Sequence, residues 1–192
     1  MTSEAPSSMD DAHPNPPPPP SSLSPNEVAI LSALVDGMFP SDDLGPGALD
    51  IGVVDYLLKA FAGPYGGLVP AYRDALAALD AVARREHRRG FAEIASEQRD
   101  AIISRLEHGQ VDELRDAGAD QFFGLIWQHL REGLFGDPIH GGNRHMLGWR
   151  LIGFPGAQFG YTAEEQQLDA AIIREPRSVA DLGANRPDDS RT

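Results

Sequence analysis

The chain has 192 residues, 41% of them hydrophobic, which suits one domain with a real core and is too little for two substantial ones. Its formal net charge of -13 argues against nucleic acid or an anionic membrane surface as principal partner, since both select clustered positive charge. There is no cysteine, so disulfides, thiolate metal sites, iron–sulfur clusters and cysteine nucleophiles are excluded. No apolar run approaches the roughly 20 residues of a membrane-spanning helix, so no direct membrane insertion is expected.

Residues 1–23, MTSEAPSSMDDAHPNPPPPPSSL, have neither a basic leader with an apolar run nor a twin arginine. Five consecutive prolines at 16–20 favour an extended polyproline tether over a docking motif. As written, this predicts a cytoplasmic chain, or a periplasmic one only if a partner carries it out.

The first helix is predicted over about residues 24 to 39. Ser24-Pro25-Asn26-Glu27 has the form of a capping box with proline at the first helical position, and Val28, Leu31, Leu34, Val35 and Met38 share one face. After the loop SDDLGPGALD, Asp50 is placed to cap a second helix with Ile51, Val54, Leu57, Leu58 and Phe61 on one side, closed by Gly63-Pro64. The third helix carries Tyr72, Leu76, Leu79 and Ala83 on a stripe, and its cationic end before Gly90 complements the helix dipole. Ser96 reads as the cap of a fourth helix with Ile102, Ile103 and Leu106 apolar and Gly109 after its end. A fifth runs from about Asp120 to Leu134, with Phe122, Phe123, Ile126, Trp127 and Leu130 at helical spacing.

No segment alternates apolar and polar residues as a half-buried strand would. The fold class is therefore all-α: a single bundle of about five helices over 24–162, followed by a polar, mobile tail over 163–192. Between the last long helix and the tail lies FGDPIHGGNRHMLGWRLIGFPG, residues 135–156, rich in glycine and poor in regular pattern.

Catalytic signatures are scarce. Gly45-Pro46-Gly47 lacks the third glycine and the preceding strand of a dinucleotide fingerprint, and reads as a turn before a helix. No P-loop, Gly-x-Ser-x-Gly elbow or His-Glu-x-x-His pair occurs. His129, Glu132, His140 and His145 are residue types that ligate zinc or iron, so a metal-dependent enzyme is the alternative function. Their spacing is loose, and hydrogen bonding to loop backbone is the plainer use. Arg84, Arg85, Arg88 and Arg89 at a helix end are expected to form surface ion pairs, and Asp42-Asp43 and Asp112-Glu113 to be solvated. The aromatic residues at 122, 123 and 127 are expected in the core, not against a flavin.

FGDPIHGGNRHMLGWRLIGFPGAQFGYT resembles the carboxyl-terminal signature of the gluconate 2-dehydrogenase subunit 3 family. FPSDDLGPGALDIGVVDYL, AGPYGG, YRDALAALD, FAEIASEQRDAIISRLE and FFGLIWQHLREGLFGDP resemble successive blocks of it, in order, from about Leu31 to Thr162. The resemblance implies a non-catalytic small subunit that holds no cofactor or metal. It would bind and stabilise a large glucose-methanol-choline-type subunit carrying FAD, in a complex that oxidises sugars, glycosides or sugar acids and in some cases passes electrons to a cytochrome c subunit. Many such subunits begin with a twin-arginine signal, from which this sequence departs. The expected partner contact lies in the glycine-rich stretch, at Phe135, Asp137, Pro138, Gly141, Gly142, Asn143, Trp149, Phe154 and Pro155. For Trp149 and Phe154 the alternative is closure of the chain's own core. A stand-alone binding module that uses the proline tract as its ligand segment is a further alternative.

Overall fold

Ser24 begins the first helix as its cap. Its hydroxyl accepts the Glu27 amide at 3.3 Å, and Glu27 reaches back to the Ser24 amide at 2.6 Å, so two of the amides left unpaired at a helix start are satisfied. The computed structural model describes residues 23–114, 119–169 and 174–184. Residues 1–22 of the predicted proline tether and 170–173 and 185–192 of the predicted tail lie outside the described residues.

Eight α-helices occur among them: α1 (Pro25–Met38), α2 (Ala48–Ile51), α3 (Val53–Phe61), α4 (Val69–His87), α5 (Ser96–Glu107), α6 (Ala119–Phe135), α7 (Leu147–Leu151) and α8 (Val179–Ala184). No strand forms among the described residues, only two isolated bridges. The all-α class is as expected, and the larger number of helices comes from short ones. The predicted second helix is two, because Gly52 adopts φ +86° between α2 and α3, a left-handed conformation that interrupts helical bonding and that glycine tolerates best. Gly47 occupies the N-cap position of α2, so the expectation for Asp50 is corrected: it sits one turn in, and its carboxylate accepts the Gly47 amide at 3.1 Å and the Ser41 hydroxyl.

Ser96 is likewise not a cap. Ala95 holds the extended cap conformation, and Gln98 accepts its amide at 3.1 Å, which leaves Ser96 as the first helical residue. Of the predicted aromatic core, Phe122 is buried and meets the Tyr72 ring edge-on at 5.2 Å, Phe123 is partly buried, and Trp127 is 40% exposed with Arg131 over its face. Two members of the arginine cluster form the expected surface ion pairs, Arg84 with Asp80, and Arg85 with Glu86 and Glu113.

The five longer helices α1, α3, α4, α5 and α6 enclose one core, in which Leu31, Leu34, Leu57, Phe61, Tyr72, Leu76, Ile102 and Ile126 are fully buried. Burial of side chains of this size contributes roughly 1.5–3 kcal/mol each before entropy is subtracted. Among the described residues no helix is long and apolar enough to cross a membrane. Replacing Ser24 by Ala removes the cap acceptor of α1. The expected cost is about 1 kcal/mol, read as a lower urea midpoint with an unchanged slope.

Candidate functional site

Every α-helix ends with carbonyls that have no partner within the helix, and the end of α6 buries several of them. The glycine-rich stretch supplies their donors. The Asn143 backbone amide donates to Gly133 O at 2.8 Å, its side-chain amide to Gly136 O at 2.8 Å, and the Trp149 indole to Phe135 O at 2.6 Å. Asn143 Oδ1 in turn accepts the Gly148 amide at 2.9 Å, which ties the start of α7 to the end of α6. Asn143 is fully buried and sits at φ +46°, in the left-handed region where asparagine is among the better-tolerated side chains.

Close approach explains two glycines here. A Cβ at Gly142 would lie 2.3 Å from Gly133 O, and one at Gly148 1.9 Å from Leu134 O, so any side chain would push the loop off the helix. Gly141, at φ +103°, is half-buried beside Lys59. Asp137 caps the turn Pro138–His140 by accepting the Ile139 amide at 3.0 Å, and it also accepts the Ser178 hydroxyl and the Val179 amide, each at 2.8 Å. Burial opposes its charge, but the Val179 and Ile139 amides and the Ser178 hydroxyl outweigh burial and hold the carboxyl below its usual range.

The segment 174–184, predicted as part of a mobile tail, therefore returns to the loop. Ala157 N donates to Arg177 O at 2.8 Å and Arg177 N to Pro155 O at 3.2 Å.

The expected contact residues thus divide by burial. Gly142, Asn143 and Trp149 are buried within the chain, Trp149 with only 4% of its surface exposed. Phe135, Asp137, Pro138 and Pro155 are half-buried, while Phe154 is 45% exposed and packs edge-on against Trp149 at 5.2 Å. Beside Phe154 in the chain, Leu151 and Ile152 are also exposed. The turn carrying Leu44 lies against α7, since a Cβ at Gly45 would come within 2.4 Å of the Leu151 side chain.

A second feature occupies the space between α3, α6 and the loop. A cleft of about 510 Å³ is lined by Tyr56, Lys59, Pro64, Tyr65, Glu132 and His140, among others. Glu132 Oε2 accepts the hydroxyls of Tyr56 at 2.6 Å and Tyr65 at 2.9 Å, and Oε1 accepts the Gln128 amide at 2.9 Å. Burial opposes the charge of Glu132, but these three donors prevail and keep it ionised to lower pH than usual. Behind it, His129 is buried, stacks on Tyr65 with centroids 4.3 Å apart, and shares a 2.8 Å hydrogen bond through Nδ1 with the Tyr72 hydroxyl. Burial pushes its imidazole down, against the pull of Glu132.

The four metal-ligand candidates do not converge. His129 lies in the core, Glu132 faces two phenols, His140 is on the cleft rim, and His145 is exposed at φ +55° on the loop. Among the described residues no three histidine or carboxylate side chains are placed to share an ion.

The family model for gluconate 2-dehydrogenase subunit 3 matches residues 25–156, from the first residue of α1 to the glycine that ends the loop. The chain belongs to the gluconate 2-dehydrogenase subunit 3 family. Searches of the curated proteins and of the solved structures returned no match. As its name states, this family is a subunit of a dehydrogenase, which implies further subunits. The α8 segment lies beyond the matched region.

Sequence reasoning missed the Tyr56–Tyr65–Glu132 arrangement, because residues 67 or more positions apart carry no local signal of their pairing. It also missed the exposed Leu44, Leu151 and Ile152. A hint was available at Leu151-Ile152, two large aliphatic residues side by side in a stretch with no long amphipathic helix to bury both.

Asn143→Ala leaves a buried amide and helix-end carbonyls unpaired. The expected loss is about 2–4 kcal/mol of unfolding free energy, measured in urea. His129 gives a pH dependence of definite sign. The unfolded chain takes up a proton near its ordinary value of about 6.5, while the folded chain resists it, so stability present above that pH declines as pH falls toward the lowered folded value. Urea midpoints are expected to drop between about pH 7 and 5.5 in the wild type and to change less in His129→Gln.

Proposed function

We propose that this chain is the non-catalytic small subunit that binds and stabilises the large FAD-containing, glucose-methanol-choline-type subunit of a sugar, glycoside or sugar-acid dehydrogenase complex. The observation that carries the reading is an apolar surface on a rigidly held support. Leu44 is 88% exposed, Ile152 58% and Phe154 45%, next to a loop tied into the end of α6 by buried hydrogen bonds. Large aliphatic and aromatic side chains grouped on a pinned surface suit a protein partner, because little ordering entropy is lost when they are covered.

In this reading the sequence-predicted contact residues take two roles. Phe154, with Leu44, Leu151 and Ile152, meets the large subunit, and Asn143, Gly142 and Trp149 shape the surface from beneath. Binding to the folded large subunit alone stabilises it by mass action, by about 4 kcal/mol at a thousandfold excess over Kd. The flavin and any cytochrome partner belong to other chains.

Co-expression with a large flavoprotein of the glucose-methanol-choline type from the same source, followed by size exclusion, is expected to yield one co-eluting complex and more soluble, flavin-loaded large subunit than expression alone. An equally soluble, loaded and active flavoprotein without this chain would refute the proposal. Ile152→Ser and Leu44→Ser are expected to change stability by less than about 0.5 kcal/mol, because both side chains are exposed, yet to weaken co-elution.

A further inference from the structure

The cleft beside Glu132 has a one-sided hydrogen-bonding character. Tyr56 and Tyr65 both donate their hydroxyl protons to Oε2, so their oxygens offer only lone pairs to anything entering, and Glu132 Oε1 has one neutral donor, Gln128. Acceptors from three side chains therefore converge. The one ammonium lining the cleft is turned to the loop, where Lys59 Nζ donates to Ile139 O at 2.7 Å.

Glu132 also has no cationic hydrogen-bond partner among the described residues. Its hydrogen-bond partners are two phenols and a carboxamide, and among the described residues no lysine or arginine forms an ion pair with it. A half-buried carboxylate held by neutral donors at the base of a largely apolar cleft favours a cation that brings its own donors. The walls add to this, because Tyr56, Tyr65 and Pro64 present flat, weakly polar surface of the kind on which a guanidinium packs, whereas an ammonium is more strongly hydrated. A guanidinium carries five N–H donors and no acceptor, which matches an acceptor-only floor.

Position indicates where that cation comes from. Gly136 and His140 of the cleft lining belong to the same loop whose far end carries Leu151, Ile152 and Phe154, so a protein that covers the apolar end and follows the loop back along α3 reaches the cleft. The chain's formal charge of -13 favours a basic group on the incoming surface.

We propose that the Tyr56–Tyr65–Glu132 cleft is the receptor for an arginine side chain of the large subunit, which inserts its guanidinium between the tyrosines and bonds Glu132. The inference rests on the accessory-subunit reading and adds to it a polar anchor that sets the register of an otherwise apolar contact. Lys59 stands at the rim as a like charge, so removing it acts in the opposite direction from removing Glu132.

The test uses the full chain and its large subunit, with affinity measured by titration calorimetry for wild type, Glu132→Gln and Lys59→Gln. Glu132→Gln is expected to weaken binding by tenfold or more, and Lys59→Gln to tighten it by about twofold to fivefold. Loss of folding would weaken both, so opposite signs identify the site. Methylguanidinium is expected to shift the ring resonances of Tyr56 and Tyr65 in the isolated wild-type chain and not in Glu132→Gln. If wild type binds the large subunit and both variants bind equally well, with no ring shifts, the arginine site is overturned and the accessory reading stands. If wild type does not bind at all, both fall together.

Discussion

The buried side chain of Asn143 is the constraint on which the course of residues 135–156 depends. One carboxamide closes the end of α6 through Gly136 and opens α7 through Gly148, while its backbone amide bonds Gly133. An amide suits the position because it donates and accepts at once. The groups it serves are buried, and a buried peptide group without a partner costs about 1–3 kcal/mol. With Asn143 in place, the irregular course of residues 135–156 is a helix cap extended into a surface.

That cap accounts for the composition of the loop. Gly142 and Gly148 are there because the backbone passes α6 too closely for any Cβ, and Trp149 because an indole can reach Phe135 O while filling the space beneath Phe154. Asp137 extends the same logic outward, holding the start of its own turn with one bond and the returning Ser178–Val179 with two others. Left-handed backbone at Asn143, His145 and Met146 is a local cost that the surrounding hydrogen bonds offset.

On the other side of α6, Glu132 is held by side chains of α3 and of the turn before α4. Gly133 lets α3 come close, since a Cβ there would meet Val53 and Tyr56 at about 3.1–3.2 Å. Two adjacent residues of one helix thus have linked tasks: Gly133 brings α3 in, and Glu132 receives the tyrosine that comes with it. The loop then runs along α3, with Lys59 bonded to Ile139 and Asp55 paired to Arg144, and reaches the exposed apolar side chains at its far end. The proposed partner contact draws on both features, the exposed apolar side chains at the far end of the loop and the carboxylate held by neutral donors near its start.

The sequence by itself determined what depends on neighbours along the chain: five amphipathic helices from their periodicity, the α1 start from its capping box, and family membership from blocks spread over 25–156. It misplaced the caps of α2 and α5, where Gly47 and Ala95 hold the cap conformation while Asp50 and Gln98 reach back from within the helix, and it treated one helix as unbroken across Gly52. Tertiary structure alone decided which residues of 135–156 turn inward, because the unpaired carbonyls of α6 select their donors in space. It alone brought Tyr56 and Tyr65 to Glu132 across 76 and 67 residues of chain and returned Ser178 to Asp137 across 41. Hydrogen bonds of that reach form only once the core has set the helices side by side, so no local pattern records them.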